Sequence, residues 1–534
     1  MPRHSSLLVG AFGVAASSAL PTSVIIPPAA LDGQIVIAVG GDGTTPLRVQ
    51  VPQGALADAF SAERGAFAPL ALNRGLLVPD PTSEELASLQ VHLHHTSARA
   101  GDPNDGSVAI SWATPTARAC KPEVTVAAAA AATGQGGAAI ITQDGATRTY
   151  PDAVLADGSS AASFQHVVLG GLVEGARYHY SLACAGYGSY NGTFAAPRRT
   201  ADDGQPYSFG VFGDMGISRA AHDTVRSLAA SVPALDAVFH IGDISYAINK
   251  EPVWNQFMAM IEPVAAAVPW SVMPGNHDMR AGDSGTECGL PMLSRFETPS
   301  ARAAQPHLLA QPPAARCAAS FGNAVGDPFW WATDAGHARV ITYSSDSNLT
   351  KGSAQYAWLA AELAAANAPA ARAAHPWLLL MGHKPMYTAS TYSGELGTRG
   401  NPAAGEGTEG QLTAELEELF VAHAVDVSFY GHIHSYNRMF PVKANGTYVE
   451  RGADAKVYRA PKAPVHMMIG MAGAGHLGKP FVPMPWSAYA EIAYGWVRAT
   501  FANASALHLE FVANGDGLQG EYAPAVHDDV WITK

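Results

Sequence analysis

The sequence predicts an all-β sandwich over residues 88–198 followed by a larger α/β domain over residues 205–534. Between 88 and 198, apolar and polar residues alternate in short runs separated by turn residues, the period of half-buried strands. After Tyr207, short apolar runs alternate with helical stretches, the signature of a sheet covered by helices. Five of those apolar runs end in glycine, followed at once by side chains that bind metals.

The bulk properties set outer bounds. A chain of 534 residues exceeds one compact core, and 48% apolar with 14% charged residues describes a folded protein. A net charge of -13 disfavours nucleic acid or an anionic membrane as the main partner. It does not exclude an anionic substrate, because a metal site supplies its own positive charge.

At the N-terminus, Arg3 and His4 precede an apolar stretch over 7–16 and then small residues, which read as a signal peptide over 1–19 cut after Ala19. That stretch, like every later one, is too short to span a bilayer. Asn191, Asn348, Asn445 and Asn503 head glycosylation sequons, as a secreted chain would carry. Cys120, Cys184, Cys288 and Cys317 allow two disulfides in three pairings; Cys120 with Cys184 and Cys288 with Cys317 keeps each bond within one domain.

Residues 20–87 form an N-terminal extension to which no role attaches, with one strand-like run at 35–39. Strands of the sandwich are expected at 90–93, 107–112, 165–169 and 176–182, and a linker at 197–204. The alanine run 127–132 reads as a loop or strand edge. In the α/β domain, strands are expected at 207–212, 237–241, 270–273, 338–343, 377–381, 425–430 and 464–469. Helices are expected at 219–230, at 253–268 behind Pro252, at 354–366 and at 411–424, the last with Glu415, Glu417 and Glu418 as a solvated charged face. Residues 280–335 read as irregular, and strand-like text returns at 496–501 and 506–512.

The five strand ends read Gly213-Asp214-Met215-Gly216, Gly242-Asp243-Ile244-Ser245-Tyr246, Gly275-Asn276-His277-Asp278, Gly382-His383 and Gly431-His432-Ile433-His434. In open α/β sheets ligands bind outside the carboxyl ends of the strands, so these ends should converge. Carboxylate, amide oxygen, imidazole and a phenol that can ionise suit hard to borderline cations such as iron, zinc or manganese. The donors are too many for one ion. Asp243 is the candidate bridge, since its two oxygens can each face a different cation. Two ions held this way clamp the attacking and leaving oxygens of a phosphoryl displacement.

This series resembles that of the purple acid phosphatases, plant-type members of the calcineurin-like metallophosphoesterases, and the likeness runs from about residue 88 to the end. It implies a four-layer αββα metallophosphoesterase sandwich behind a fibronectin/Ig-like domain. It implies Fe(III) on Asp214, Asp243, Tyr246 and His434, and a divalent Zn, Mn or Fe on Asp243, Asn276, His383 and His432. It further implies a secreted or vacuolar acid phosphatase with an acidic optimum, acting on small phosphoesters through a metal-bound hydroxide. Asp243 and His277 would be catalytic, and Asn276, His277 and Tyr392 would contact substrate. A homodimer is compatible with it. Phosphodiesterases, nucleotide pyrophosphatases and phytases share the ligands; a non-catalytic secreted glycoprotein would have lost some.

Two stretches depart from the family. Tyr392 and Ser393 stand where a substrate-contacting His pair is expected, and Asn437-Arg438 replaces Glu-Arg after the last tip. The run Gly473-Ala474-Gly475-His476-Leu477-Gly478 meets prolines at 480, 483 and 485, so no helix can follow it to hold a dinucleotide. It reads instead as a glycine-rich loop beside the metals.

Overall fold

The computed structural model describes residues 34–39, 45–50, 89–96, 107–115, 123–128, 140–149, 162–184, 188–199, 204–299, 328–390, 408–452, 454–475, 481–515 and 521–534. Cys120, Cys317 and Tyr392 lie outside these residues, as does the expected signal peptide. Residues 1–80 and 81–534 form separate compact units. In the first unit, Gln34–Val39 pairs antiparallel with Thr45–Gln50.

The second unit begins with two four-stranded antiparallel sheets. One runs in the order Gly188–Ala195, Arg177–Cys184, Glu123–Ala128, Ile140–Asp144; the other in the order His92–His95, Val108–Pro115, Ala162–Leu169, Ala146–Arg148. Val108, Ile110 and Trp112 point inward at alternate positions and meet Val124, Val126, Tyr180 and Phe194 in one buried core. The alanine run contributes Ala127 and Ala128 to a strand.

The α/β part is built on two seven-stranded sheets. The first has the order Trp270–Met273, Ala237–Ile241, Tyr207–Phe212, Gly495–Asn503, Ala506–Ala513, Ala525–Thr533, Val457–Arg459. The second has the order Trp331–Ala335, Ala338–Thr342, Trp377–Met381, Val427–Tyr430, Val465–Ile469, Tyr436–Met439, Ser487–Glu491. Alternation places Phe209, Val211, Phe239 and Ile241 of the first sheet against Leu379, Met381, Val427 and Phe429 of the second. The opposite faces are covered by helices. Arg219–Ser231 and Glu251–Ala265 bury Leu228, Phe257 and Ile261 on Val238 and Trp270, while Ala354–Ala366 and Thr408–Ala422 bury Leu359, Leu416 and Phe420 on Leu378 and Leu380. The result is four layers, helix, sheet, sheet and helix. Ser218 and Ser353 cap two of these helices, accepting from Ala221 N and Tyr356 N at 3.2 Å each.

Three expectations need correction. Residues 280–335 are not wholly irregular: they contain the helix Leu290–Arg295 and the strand Trp331–Ala335. The strands Tyr436–Met439, Val457–Arg459, Ser487–Glu491 and Ala525–Thr533 were not expected, because their polar residues are paired within the fold; Arg438, for example, is buried against Asp528 at 2.6 and 2.8 Å. Glu417 is not part of a solvated face. Its carboxylate accepts from the Tyr387 hydroxyl and, at 2.9 Å, from Asn445 N.

The β-sandwich docks on the α/β part through a seam of buried histidines. His92 Nε2 reaches the Arg295 carbonyl at 2.9 Å, His94 Nδ1 the Trp270 carbonyl at 3.3 Å, His95 Nδ1 the Ser271 hydroxyl at 3.0 Å, and His166 Nε2 the Ser294 carbonyl at 2.9 Å. Burial pushes His92 and His95 down to about 4 and holds His94 and His166 well below the ordinary imidazole range. These rings are neutral when folded and charge near the ordinary imidazole value of 6.5 when unfolded. The unfolded chain therefore binds more protons as pH falls from 6.5 toward 4, and stability present above 6.5 is lost across that window. Urea unfolding should show His95→Gln losing about 2 kcal/mol less than the wild type between pH 7.5 and 4.5. Identical losses would contradict a neutral, buried His95.

Candidate metal centre

Each expected ligand follows a glycine that lies just past the end of a strand, and the strand ends are tied across the two sheets. Gly213 N donates to Ile469 O at 2.9 Å, and His383 Nδ1 reaches Ile241 O at 3.0 Å. Loop backbones continue the ladder, with Asp214 N on Gly242 O at 3.0 Å and Gly431 N on His383 O at 2.8 Å. Both sheets thus deliver their C-terminal ends to one place.

Four of the seven residues sit in left-handed backbone: Asp214 at φ 61°, Asp243 at 52°, Tyr246 at 55° and His432 at 69°. For non-glycine residues this conformation is strained and clusters at functional sites. The glycines make room for it. A Cβ on Gly275 would lie 2.2 Å from Asp243 Oδ1, and one on Gly431 would lie 2.5 Å from Asp214 Oδ2.

The structure brings Asp214, Asp243, Tyr246, Asn276, His383, His432 and His434 together in two groups that share Asp243. In the first, the Tyr246 hydroxyl lies 3.1 Å from Asp214 Oδ1, 3.1 Å from Asp243 Oδ2 and 2.9 Å from His434 Nε2. In the second, Asn276 Oδ1 lies 2.9 Å from His432 Nδ1 and 3.2 Å from His383 Nε2, which is itself 3.3 Å from Asp243 Oδ1. One oxygen of Asp243 faces each group. His277 is half-buried at the rim; its backbone N donates to Asp243 Oδ1 at 2.8 Å, and its ring lies 4.7 Å from that of Tyr246.

Supporting contacts set which atoms face inward. His434 Nδ1 is held by Gly475 O at 2.7 Å, leaving Nε2 toward the first group; residues 473–475 thus lie beside the site. His383 Nδ1 on Ile241 O does the same for its Nε2. Sequence reasoning gave Asp278 no role. Its carboxylate accepts from Gly275 N at 2.9 Å and Ile244 N at 3.2 Å, joining two ligand loops, and its place in the Gly275–Asp278 motif was the available signal. Asn437 serves the loop before Tyr392: its Oδ1 accepts from Ala389 N at 2.9 Å.

The electrostatics are those of buried anions that need positive partners. Burial would raise the Asp243 carboxyl, but His383, His277 and His432 outweigh it and hold it well below the usual range. Burial opposes charge on His383, yet Asp243 and Asp214 raise it to about 10. Burial, then Asp214 and Asp243, push the Tyr246 phenol well above its usual value, and burial raises Asp278 to about 7. Burial and the nearby Lys384 push His432 well down, keeping it a neutral donor. A phenol and imidazole with two carboxylates fit a hard trivalent ion, and an amide oxygen, two imidazoles and a carboxylate fit a borderline divalent one.

Comparison with known proteins agrees with this chemistry. Residues 207–436 match the calcineurin-like phosphoesterase model, and 463–520 match that of the iron/zinc purple acid phosphatase-like protein C. Mouse acid phosphatase type 7 is 32% identical over 387 residues, covering 69% of this chain and 76% of the relative. The chain belongs to the purple acid phosphatase family. A probable inactive purple acid phosphatase of Arabidopsis thaliana, number 27 of its series, is 28% identical over 60% of this chain and 49% of its own length. The structure of a purple acid phosphatase from yellow lupin seeds shares the fold, with a TM-score of 0.65 at 22% identity over 83% of this chain and 74% of that one. The family implies a dinuclear metal centre, and the two groups that share Asp243 are the candidates to hold it.

Gly275→Ala tests the packing behind the second group. Its Cβ would collide with Asp243 Oδ1, so zinc affinity measured by chelator competition should fall roughly 10- to 100-fold. Unchanged affinity would contradict the geometry.

Proposed function

We propose that this chain is an active phosphatase that hydrolyses phosphate monoesters. In this reading Asp214, Asp243, Tyr246 and His434 hold Fe(III), and Asp243, Asn276, His383 and His432 hold Zn, Mn or Fe(II). The observation that carries it is Asp243, buried, with one oxygen turned to each complete donor group. Some relatives are named inactive, but here every donor is present and aimed at the centre. When bound, such a cation pair acidifies water and offsets charge on phosphoryl oxygens.

The chain's own residues do the rest. Asp243 would hold one cation on each of its oxygens, while its Oδ1 also accepts from the His277 backbone N and fixes it. His277, half-buried beside Tyr246, donates a proton to the departing ester oxygen from the rim of the site. Left-handed backbone at Asp214 and His432 pre-orders the donors before substrate arrives.

Secretion, or delivery to a vacuole or cell wall, belongs to the same proposal. The expected signal peptide and sequons support it, as does Cys288, which is disulfide-bonded and so suits an oxidising compartment. Asn191, Asn445 and Asn503 are exposed and Asn348 is half-buried. No helix among the described residues is long and apolar enough to cross a membrane.

Protein reconstituted with Fe(III) and zinc should hydrolyse p-nitrophenyl phosphate and show a visible iron–phenolate band. Asp243→Ala should lower kcat by roughly a hundredfold or more, beyond what loss of an outer hydrogen-bond partner costs. Tyr246→Phe should abolish the band. A loaded protein inert to monoesters, or full activity in Asp243→Ala, would contradict the proposal; activity on diesters alone would replace the substrate class.

A further inference from the structure

We propose that Asp283 is a positioning residue that turns the Asn276 amide so that its oxygen faces the divalent-ion group. The inference rests on the reading of Asn276 as a ligand given above. An asparagine amide has two ends of nearly equal size and opposite character. If the nitrogen faced the cation, two N–H donors would oppose a positive charge. Something must therefore select the orientation.

Asp283 makes that selection. Asn276 Nδ2 donates to Asp283 Oδ2 at 3.1 Å, while Asn276 Oδ1 faces His432 Nδ1 at 2.9 Å and His383 Nε2 at 3.2 Å. A carboxylate only accepts, so the amide nitrogen is the end that must face it. The flipped amide would set oxygen against carboxylate at one end and nitrogen against the ligand imidazoles at the other.

The Asp283 turn is built to hold this position. Gly282 N donates to Gly285 O at 3.3 Å, and Ser284 N and Oγ donate to Arg280 O at 2.9 and 3.0 Å. Gly282 and Gly285 take φ values of 98° and 65°. The turn rests on Asn249, whose Oδ1 accepts from Thr286 N at 2.9 Å and Thr286 Oγ1 at 3.0 Å. A Cβ on Gly285 would lie 2.2 Å from Asn249 Nδ2, so the contact needs glycine. Asn249 leaves the loop that carries Tyr246, and its backbone N is held by Glu287 at 2.7 Å. The orientation of Asn276 is thus referred back to the Tyr246 side of the centre.

Asp283 has a second contact of different kind. Its backbone carbonyl lies 3.2 Å from His277 Nδ1. A side-chain substitution leaves that carbonyl in place, which separates the effect on the ligand from any effect on His277.

The test uses metal-free full-length protein reconstituted with Fe(III) and then titrated with Zn(II) against a chromophoric chelator. Asp283→Ala should weaken zinc binding roughly 10- to 100-fold while the iron–phenolate band from Tyr246 keeps its intensity. Asp283→Asn, whose amide oxygen can still accept from Asn276 Nδ2, should recover most of the affinity. Wild-type zinc affinity in Asp283→Ala overturns the proposal. So does equal loss of zinc and of the band, which marks a general defect, and so does failure of Asp283→Asn to rescue. If the wild-type protein takes Fe(III) but none of Zn(II), Mn(II) or Fe(II) beside it, the reading of Asn276 as a ligand fails, and this inference with it.

Discussion

Two buried carboxylates lie within hydrogen-bond distance of one half-buried phenol, and the rest of the site follows from that. Asp214 and Asp243 are essentially inaccessible, and the Tyr246 hydroxyl lies 3.1 Å from both. Anions taken out of water are costly unless positive charge meets them. Imidazoles beside them, His383 among them, supply part of it, and a bound cation pair would supply more. Left-handed backbone at four donors adds about 1–3 kcal/mol of strain each. Such an arrangement persists only because its surroundings over-determine it.

Those surroundings are the two sheets and what lies behind them. Hydrogen bonds between Gly213 and Ile469, and between His383 and Ile241, fix the sheet ends in one frame. The strand Trp270–Met273, which leads into Gly275 and Asn276, is also the strand on which His94 and His95 rest. The β-sandwich is therefore part of the wall that holds a ligand loop. Its neutral histidines set an acid limit on the stability of that wall, separate from the protonation of the centre itself.

Much of this was legible in the sequence because it is local. A buried strand, a glycine and a donor are neighbours in the chain, and five such ends in one α/β pattern name their meeting place. The sequence shows only that a glycine precedes each donor; the structure adds that Gly275 and Gly431 are needed for close approach to carboxylates. What stayed hidden depends on contacts between distant residues. The strand Tyr436–Met439 reads as polar because Asp528, 90 residues away, pairs with Arg438. Glu417 read as solvated because nothing nearby in the chain announces Tyr387 or Asn445. Asp283 carries no pattern that separates a loop carboxylate from one that orients a ligand.

The central claim is that one carboxylate stands between two cations. Anomalous scattering at the iron and zinc edges, from crystals of protein loaded with both, tests it most directly. The account requires two peaks roughly 3.5–4 Å apart, one on each side of Asp243, with Tyr246 beside the iron. A single peak, or a second one away from Asp243, would contradict it.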